Sequence, residues 1–256
     1  MRAIIVAAGL GKRLRPLTDS LPKCMLKIGE KSIIQHQVDI LTSLGIEEIV
    51  IIKGYCQEKV FLEGQNPTYF INKDYKNNNI LESLFYAEKA INGRVIILYS
   101  DIIFDREVVK QLIESQDEIS LVVDSNWQNN YIDRNDNPME AAEFVVLGEN
   151  SKVSQVGKIY REGKVGIAGE FIGMMKLGSQ GSKIFKTCYH SSRKKYKDNL
   201  FHGAESIKVA YLTDLLQELI DNAVPVFCVT IRGGWREIDT IGDFKKALDF
   251  FENSCI

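Results

Sequence analysis

Short apolar runs alternate with amphipathic stretches through the first half of the chain, a pattern typical of an α/β fold. Residues 2–7 form a continuous apolar run, which predicts a strand buried on both faces. Further strands are predicted at residues 49–53, 68–71, 95–99 and 119–123. Apolar residues at helical spacing predict helices over 32–44, with Gly45 as its C-terminal cap, and over 79–91.

The second half has a different pattern. Short stretches separated by glycine-containing turns predict antiparallel strands at residues 144–147, 153–159, 166–168 and 171–176. Helices are predicted over 204–221 and 241–252, a strand over 224–231, and a mobile loop over the polar segment 126–138. Because no linker separates two cores, we expect a single Rossmann-like domain over residues 1–256. Its central sheet should be mixed, mostly parallel and flanked by helices.

Composition and charge narrow the classes of function. The chain has 256 residues, of which 45% are hydrophobic and 26% charged, enough to bury a full core. A net charge of -2 gives no basic excess for nucleic acid, and no apolar run approaches the roughly 20 residues that cross a bilayer. We interpret residues 1–10 as a buried strand rather than a signal peptide. Five scattered cysteines and three histidines without metal-ligand spacing predict reduced thiols in a cytoplasmic protein.

A glycine-rich segment directly follows the first predicted strand. It runs Ala7-Ala8-Gly9-Leu10-Gly11-Lys12-Arg13-Leu14-Arg15-Pro16-Leu17-Thr18 and is followed by Leu21-Pro22-Lys23. Glycines let the backbone approach an anion, and free N–H groups can surround phosphate oxygens, to which Arg13 and Lys23 add charge. A dinucleotide fingerprint needs a third glycine where Leu14 stands, and the Gly-Lys-Ser/Thr ending of a Walker A loop is absent. The purely structural alternative is a tight turn after a strand.

This combination of Gly-x-Gly-x-Arg with a later Pro-Lys resembles the nucleotidyltransferase superfamily that makes nucleoside-diphosphate sugars and CDP-linked head groups. The resemblance implies a nucleotidyltransferase or GT-A-like fold. Residues 1–125 would be the nucleotide-binding half, and residues 126–256 would bind the acceptor and carry a second metal ligand. In that family the Ala-Ala-Gly backbone meets the base, while the arginine and lysine bind the triphosphate. These roles fall here on Ala7, Ala8, Gly9, Gly11, Arg13 and Lys23.

Two acidic residues are expected to hold a metal ion. Nucleotidyl transfer is an in-line displacement at phosphorus in which Mg²⁺ neutralises charge, and carboxylates at the carboxyl ends of strands can hold Mg²⁺. Asp101 follows the predicted strand 95–99, and the family places a second metal-binding Asp in a late segment that matches Asp239. We expect Asp101, Asp239, Arg13 and Lys23 to form the catalytic set. The structural alternatives are a turn or N-cap role for Asp101, an N-cap role for Asp239, and for Glu237 either a supporting role or an ion pair with Arg236.

Three parts of the sequence resemble the CTP-using branch of that superfamily. Residues 77–84 look like the asparagine-rich helix start of that branch, which implies that Asn78 and Ser83 recognise a pyrimidine. The alternative is that residues 77–79 merely start a helix. Residues 235–244 resemble phosphocholine cytidylyltransferases of bacterial surface decoration. Residues 99–105 and 121–127 resemble cytidylyltransferase domains of phosphonate pathways.

The resemblance implies a small acceptor: phosphocholine, 2-aminoethylphosphonate, 2-hydroxyethylphosphonate or a similar head group. An amine would favour acidic or aromatic partners, for which Asp124, Glu170 and Trp235 are candidates, with Lys158 for the phosphoryl oxygens. Trp127 and Trp235 are equally well explained as core residues. The expected partners are CTP, Mg²⁺ and this acceptor, without nucleic acid or membrane, in cell-surface polysaccharide or phosphonate biosynthesis. The sequence leaves open whether the chain forms a homodimer.

Three other functions are alternatives at this point. A hexose-1-phosphate nucleotidyltransferase would use UTP or dTTP, but such enzymes usually carry longer acceptor-binding insertions than 256 residues allow. A nucleotide-sensing module without catalysis would lack the metal-binding acids, and both candidates are present. An NAD-linked oxidoreductase would need the missing third glycine.

Overall fold

The computed structural model describes residues 1–132, 134, 139–159, 166, 168–197 and 199–253, with the backbone alone for 251–253. The strands, in chain order, are β1 (Arg2–Ala7), β2 (Lys27–Ile28), β3 (Lys31–Ser32), β4 (Glu48–Lys53), β5 (Thr68–Ile71), β6 (Val95–Tyr99), β7 (Ile102–Phe104), β8 (Ile119–Asp124), β9 (Phe144–Leu147), β10 (Val153–Gly157), β11 (Gly169–Leu177), β12 (Phe227–Ile231) and β13 (Trp235–Glu237). The helices are α1 (Ile33–Ser43), α2 (Ile80–Phe85), α3 (Arg106–Glu114), α4 (Ser179–Tyr196), α5 (Leu212–Asp221) and α6 (Ile241–Asn253). Within these ranges no helix combines the length and apolar character needed to span a membrane.

A mixed sheet forms the centre of the molecule. In the described part of the chain it has nine strands in the order β10-β9-β11-β6-β1-β4-β5, with β8 joined to β11 and β12 joined to β8. β1, β4, β5 and β6 are parallel, and β12 is parallel to β8. β11 runs antiparallel to β6, β8 and β9, and β10 runs antiparallel to β9. Only β10 and β11 therefore oppose the common direction, which confirms the predicted mixed, mostly parallel sheet.

Both faces of the central strands are buried. In β1, Ile4 and Val6 pack into one core while Ala3 and Ile5 pack into the other, because successive side chains of a strand point to opposite faces. Helices α2, α4 and α5 cover the first face, and α1 and α3 cover the second. The prediction of a doubly buried first strand is confirmed. This burial is the main stabilisation of the fold, since each fully buried aliphatic side chain contributes about 1.5–3 kcal/mol.

The parallel strands β1 and β6 bring their carboxyl ends together. Their register places Ile5 opposite Leu98 and Val6 opposite Tyr99. The glycine-rich segment leaves β1 at the same edge of the sheet where Asp101 follows β6. This edge is where open α/β sheets bind their ligands.

Two helices are shorter in the structure than the sequence predicts. The predicted helix 79–91 ends at Phe85, and the chain then tightens into a 3-10 turn at Glu88–Ala90, which places Ile91 in the core. The predicted helix 204–221 begins only at Leu212, because the Asp214 carboxylate accepts a hydrogen bond from the Tyr211 N–H at 2.7 Å and so caps the helix there.

Several strand boundaries also differ from their predictions. β10 ends at residue 157 instead of 159, β12 begins at 227 instead of 224, and β11 extends over 169–177 instead of 171–176. Of the predicted strand 166–168, residues 166 and 168 lie outside any strand, and residue 167 lies outside the described residues. The predicted loop 126–138 contains a 3-10 helix at Trp127–Tyr131, and both terminal aromatic side chains are buried. Residues 133 and 135–138 of that loop lie outside the described residues.

Candidate active site

The glycine-rich segment is shaped around Lys23. Gly11 has φ +59°, and a Cβ there would lie 3.2 Å from Thr18 Cγ2 and 3.3 Å from Lys23 Cβ. The Thr18 hydroxyl donates to the Gly11 carbonyl at 2.7 Å, which fixes the loop. Glycine therefore allows both the left-handed backbone and the close approach of Lys23.

A two-stranded ribbon brings the two predicted metal-binding acids together. Asp101 directly precedes β7 and Asp239 lies just after β13, and these strands pair antiparallel with Glu237 opposite Ile102. The Ile238 N–H donates to the Asp101 carbonyl at 2.8 Å. Buried Gln37 holds the turn from the other side, since its amide donates to the carbonyls of Tyr99 and Ile102 at 2.9 and 2.7 Å. Two residues far apart in sequence are thus fixed side by side.

Lys23 joins the two carboxylates. Its ammonium donates to Asp101 Oδ2 at 2.8 Å and to Asp239 Oδ1 at 2.5 Å, and the Arg13 guanidinium pairs with Asp239 Oδ2. Burial alone would lower the pKa of Lys23, but the charges of both carboxylates outweigh burial and raise it. Burial would raise the pKa of Asp239, but Lys23 and Arg13 hold it below its ordinary value. Lys23 and Asp239 are therefore both charged near pH 7.

The N-cap alternatives do not explain the positions of the two acids, whereas the turn position predicted as an alternative for Asp101 is observed. Asp105, not Asp101, stands at the N-cap of α3, and Asp101 lies in the turn between β6 and β7. At the start of α6, the Thr240 hydroxyl accepts from the Asp243 N–H at 3.1 Å, and the Asp243 carboxylate accepts from the Thr240 N–H at 2.9 Å. Thr240 is therefore the cap residue, and Asp239 remains available to the cluster.

Two cavities meet at this cluster. The first has a volume of about 280 Å³, and the predicted nucleotide-binding residues all line it: Ala7, Ala8, Gly9, Gly11, Arg13, Asn78 and Ser83. The second has a volume of about 270 Å³. The residues common to both walls are Arg13, Asn79, Ile80, Tyr99, Asp101 and Asp239. The two carboxylates thus stand at the border between the cavities.

A polar network joins buried Asn72 to two residues that line the first cavity, Asn78 and Ser83. Buried Asn72 donates to Asn78 Oδ1 at 2.8 Å and to Ser83 Oγ at 2.9 Å, and Asn78 donates back to Asn72 Oδ1 at 3.1 Å. Asn79 caps α2 by accepting from the Ile80 N–H at 2.8 Å. The helix-start explanation therefore holds for Asn79, while Asn78 and Ser83 face the cavity. Asn72 was not predicted from the sequence, because it belongs to no local motif.

Three of the four predicted acceptor contacts, Lys158, Glu170 and Trp235, line the second cavity. Asp124 is placed differently: it is 1% exposed, and its carboxylate accepts from the Trp235 indole N–H at 2.8 Å and from the Gly233 N–H at 3.0 Å. Asp124 therefore holds the Trp235 side chain in position. The core explanation holds for Trp127, which packs with Tyr131 and Ala142.

Buried acids with raised pKa values line the second cavity. Burial raises the pKa of Glu170 to about 8, although its hydrogen bond from the Tyr131 hydroxyl acts in the opposite direction. Burial and the charge of Asp239 raise the pKa of Glu237 to about 7. Burial also raises the pKa of Glu143, which accepts from Tyr99 and Thr213. Such perturbed groups in a cleft are a mark of functional sites.

Arg134 links the loop beside the second cavity to the segment that carries Asp239. It is 8% exposed and donates to both carboxylate oxygens of Asp243, at 2.7 and 3.0 Å, and to Glu237 at 2.6 Å. The Asp243 carboxylate in turn accepts from the Asp239 N–H at 3.2 Å. The predicted alternative partner of Glu237, Arg236, instead donates to Asn130 at 2.8 Å. Neither Arg134 nor Asp243 was predicted as a site residue from the sequence.

We expect the substitution Arg134→Met to lower the free energy of unfolding by about 3 kcal/mol, because it leaves the Asp243 carboxylate buried without its cation. Urea denaturation measures this loss. Arg106→Met is the matched control, since Arg106 is exposed at the first turn of α3 and its replacement should change stability by less than about 0.5 kcal/mol. Equal stability of the two variants would contradict a structural role for Arg134.

The cluster has the chemistry of a partial metal site. Asp101 Oδ1 is buried and has no hydrogen-bond partner, although carboxylate oxygens normally accept bonds when buried. Across the described residues, no group of three His, Cys, Asp and Glu side chains could hold a metal ion by itself. Two carboxylates with an unused oxygen match Mg²⁺, which is commonly bound by one or two carboxylates together with substrate phosphates and water. The residues present therefore fit a metal that arrives with a nucleotide.

Comparisons with known proteins identify the family of this chain. The sequence matches the family described as MobA-like NTP transferase domain over residues 3–148. It is similar to CTP:phosphoglutamine cytidylyltransferase of Campylobacter jejuni, at 32% identity over 97% of this chain and 100% of that protein. It is also similar to choline-phosphate cytidylyltransferase of Streptococcus pneumoniae, at 34% identity over 99% of each chain. The solved structure of inositol-1-phosphate CTP transferase from T. maritima shares the fold, with a TM-score of 0.74 at 20% identity over 100% of this chain and 97% of that chain.

Proposed function

The chain belongs to the family of MobA-like NTP transferase domains, and on that premise we propose that it is a cytidylyltransferase. It would transfer CMP from CTP to a small acceptor with a phosphoryl or phosphonyl group and release pyrophosphate. The observation that carries this proposal is the meeting of Asp101, Asp239, Lys23 and Arg13 at the border of two cavities. The names of two relatives that align over nearly the whole chain support CTP as the donor and a phosphorylated compound as the acceptor.

We assign the first cavity to the nucleotide. The backbone of the glycine-rich segment would surround the triphosphate, with Arg13 and Lys23 supplying positive charge. Asn78 and Ser83, held by Asn72, would recognise the base, because amide and hydroxyl groups can both donate and accept hydrogen bonds. The second cavity would hold the acceptor between Lys158, Glu170 and Trp235.

Asp101 and Asp239 would hold Mg²⁺, with Asp101 Oδ1 as an oxygen that has no competing partner. The bound ion would supply charge neutralisation at the phosphates. In the structure the Lys23 ammonium bridges both carboxylates. When the nucleotide is bound, we expect Lys23 to turn to the α-phosphate and stabilise its developing charge.

The reaction itself would be an in-line displacement. An ionised oxygen of the acceptor forms a bond to the α-phosphorus, the bond from that phosphorus to the β-phosphate oxygen breaks, and pyrophosphate leaves with the electron pair. No general base is required, because a phosphoryl or phosphonyl oxygen is already ionised at pH 7. Orientation of the two substrates across the cavity border and charge neutralisation would supply most of the acceleration.

A panel of donors and acceptors tests this proposal. Pyrophosphate release is measured with CTP, UTP, dTTP, ATP or GTP, Mg²⁺, and either phosphorylated head groups or glucose 1-phosphate. We expect turnover with CTP and a head group, and loss of turnover when the metal is chelated. Turnover with UTP or dTTP and glucose 1-phosphate would instead establish the sugar-nucleotide alternative. Nucleotide binding without turnover on any acceptor would favour the sensing module.

A further inference from the structure

The second cavity contains two buried oxygens whose hydrogen-bonding capacity is unused. Among the described residues that line it, Asp101 Oδ1 and Glu170 Oε2 are buried side-chain atoms without a hydrogen-bond partner. Asp101 belongs to the charged cluster at the cavity border. Glu170 belongs to the wall formed by β11, and it is 5% exposed. An unpaired buried carboxyl oxygen costs free energy, so its presence in a cavity wall indicates that a ligand satisfies it.

The other carboxyl groups of this wall are already occupied. Glu143 accepts from the Thr213 hydroxyl at 2.8 Å and from the Tyr99 hydroxyl at 3.2 Å. Glu237 accepts from Arg134 at 2.6 Å. On Glu170, the Tyr131 hydroxyl donates to Oε1 alone, which leaves Oε2 for an incoming donor.

Two tyrosine rings that line the second cavity already have cations over them. The Lys158 ammonium lies over the ring of Tyr211, 4.1 Å from its centre, and the Arg134 guanidinium lies over the ring of Tyr131 at 4.9 Å. Tyr99 packs edge-on against Phe171, with ring centres 6.0 Å apart. A quaternary ammonium group, which is recognised mainly through aromatic faces, would compete with these cations for the two tyrosine rings.

We propose that the acceptor of this protein carries N–H donors, such as those of a primary ammonium, at the end remote from its phosphoryl or phosphonyl group. Glu170 selects such an acceptor over one that carries a trimethylated ammonium. This inference rests on the proposed function. The free Glu170 oxygen accepts one N–H, and the acceptor's anionic end faces Lys158 and Arg13. Three N-methyl groups would remove every donor and leave Oε2 unsatisfied.

The pair phosphoethanolamine and phosphocholine tests this inference, because the two compounds differ only in three methyl groups on nitrogen. Turnover is measured with CTP and Mg²⁺ over a range of acceptor concentrations. We expect kcat/KM for phosphoethanolamine to exceed that for phosphocholine by at least about tenfold, mainly through KM, as for a lost hydrogen bond to a charged group. An equal or higher kcat/KM for phosphocholine would overturn the inference and leave the proposed function intact. Failure of both compounds and of 2-aminoethylphosphonate, with every nucleotide, would count against the proposed function as well.

Variants of Glu170 give a second readout. We expect Glu170→Ala to lower kcat/KM for phosphoethanolamine by about tenfold or more and to bring the ratio of the two acceptors close to one. The affinity of this variant for CTP, measured by calorimetry, should stay within about twofold of wild type, which shows that the fold is kept. A preference for phosphoethanolamine that survives in Glu170→Ala would exclude Glu170 as the selecting residue.

The pH dependence of acceptor binding offers an independent check. An ammonium requires ionised Glu170, and burial raises the pKa of this carboxyl to about 8, so binding near pH 7 should release a proton to solvent. The charged and titratable groups around it are Tyr131, Arg134, Glu143, Glu237, Lys158 and Asp124. We expect KM for phosphoethanolamine to fall several-fold from pH 7 to pH 9 in wild type. Glu170→Gln should show a flat profile over this range, and a parallel fall in the variant would contradict the assignment.

Discussion

The substitution Asp101→Asn is expected to lower the rate of pyrophosphate release by at least about 1,000-fold with little change in stability. Asparagine has the same shape as aspartate but no charge. It therefore cannot balance the charge of the metal ion or hold it through Oδ1, the carboxylate oxygen that has no hydrogen-bond partner in the structure. Lys23 would keep its second carboxylate, Asp239, at 2.5 Å. Pyrophosphate release and a thermal melt, measured on the same preparation, separate lost chemistry from lost fold.

The matched control for this variant is Asp105→Asn. Asp105 lies four residues further along, at the N-cap of α3, and asparagine also serves well at that position. We expect its turnover to stay within about twofold of wild type. If Asp101→Asn retained a rate within about tenfold of wild type, Asp101 could not be a metal ligand for this reaction.

Lys23→Met is expected to have the second large effect, on both catalysis and stability. Turnover should fall by at least about 100-fold, because the charge that stabilises the α-phosphate is removed. The free energy of unfolding at pH 7 should fall by about 3 kcal/mol, because the variant leaves Asp101 and Asp239 side by side without the cation that joins them.

The pH profile of this loss has a definite sign. Asp239 has a depressed pKa in the folded state, so its contribution to stability is present above the unfolded pKa and is lost as pH falls. Lys23 has a raised pKa in the folded state, so its contribution is present below the unfolded pKa and is lost as pH rises through the folded pKa. The difference between wild type and variant should therefore be largest from about pH 5 to pH 10 and should shrink outside that window.

Lys27→Met controls for the loss of a lysine in the same segment, since Lys27 is exposed in β2 and should tolerate the change within about 0.5 kcal/mol. Denaturant unfolding at pH 4, 7 and 9 measures all three proteins. A Lys23→Met variant as stable as the Lys27→Met variant at pH 7 would show that the bridge seen here does not form in solution.

The parts of the site with local sequence signals were predictable. Gly9, Gly11 and Lys23 belong to one short segment after a strand, and the residue types in this segment indicate the backbone conformation that it needs. Asp101 could be placed because only Ser100 separates it from a clear apolar strand. Asp239 could be placed in the site only through the family resemblance, because no residue near it in sequence indicates that β13 pairs with β7.

The supporting residues could not be predicted in the same way. Gln37, Asn72 and Arg134 act through hydrogen bonds to partners distant in sequence, so their roles depend on the assembled fold. Asp243 did carry a signal that was overlooked, because Thr240-x-x-Asp243 has the spacing of a helix-capping pair. Asp124 was misplaced as an acceptor contact because a polar residue at a strand end predicts a site without showing whether it lines the cavity or supports it.

Helix α4 was not predicted from the sequence, and the composition of its buried face explains why. That face consists of Gly181, Ser182, Phe185, Tyr189 and Ser192, so only two of its positions are large and apolar. Small polar residues pack closely against the sheet, but they give no hydrophobic period for a sequence argument to detect. The missed α3 is short and buries only Val108, Val109 and Leu112. Tertiary packing, not propensity, stabilises both helices.

The central claim is that Asp101 and Asp239 jointly hold a divalent ion between a nucleotide and its acceptor. The most direct measurement is an anomalous difference map from crystals of the full chain grown with CTP and Mn²⁺. We expect one manganese peak within coordination distance of both carboxylates, with the nucleotide phosphates on its other side and Lys23 moved away from the acids. A nucleotide bound in the first cavity while the Lys23 bridge stays intact, with manganese elsewhere or missing, would contradict it.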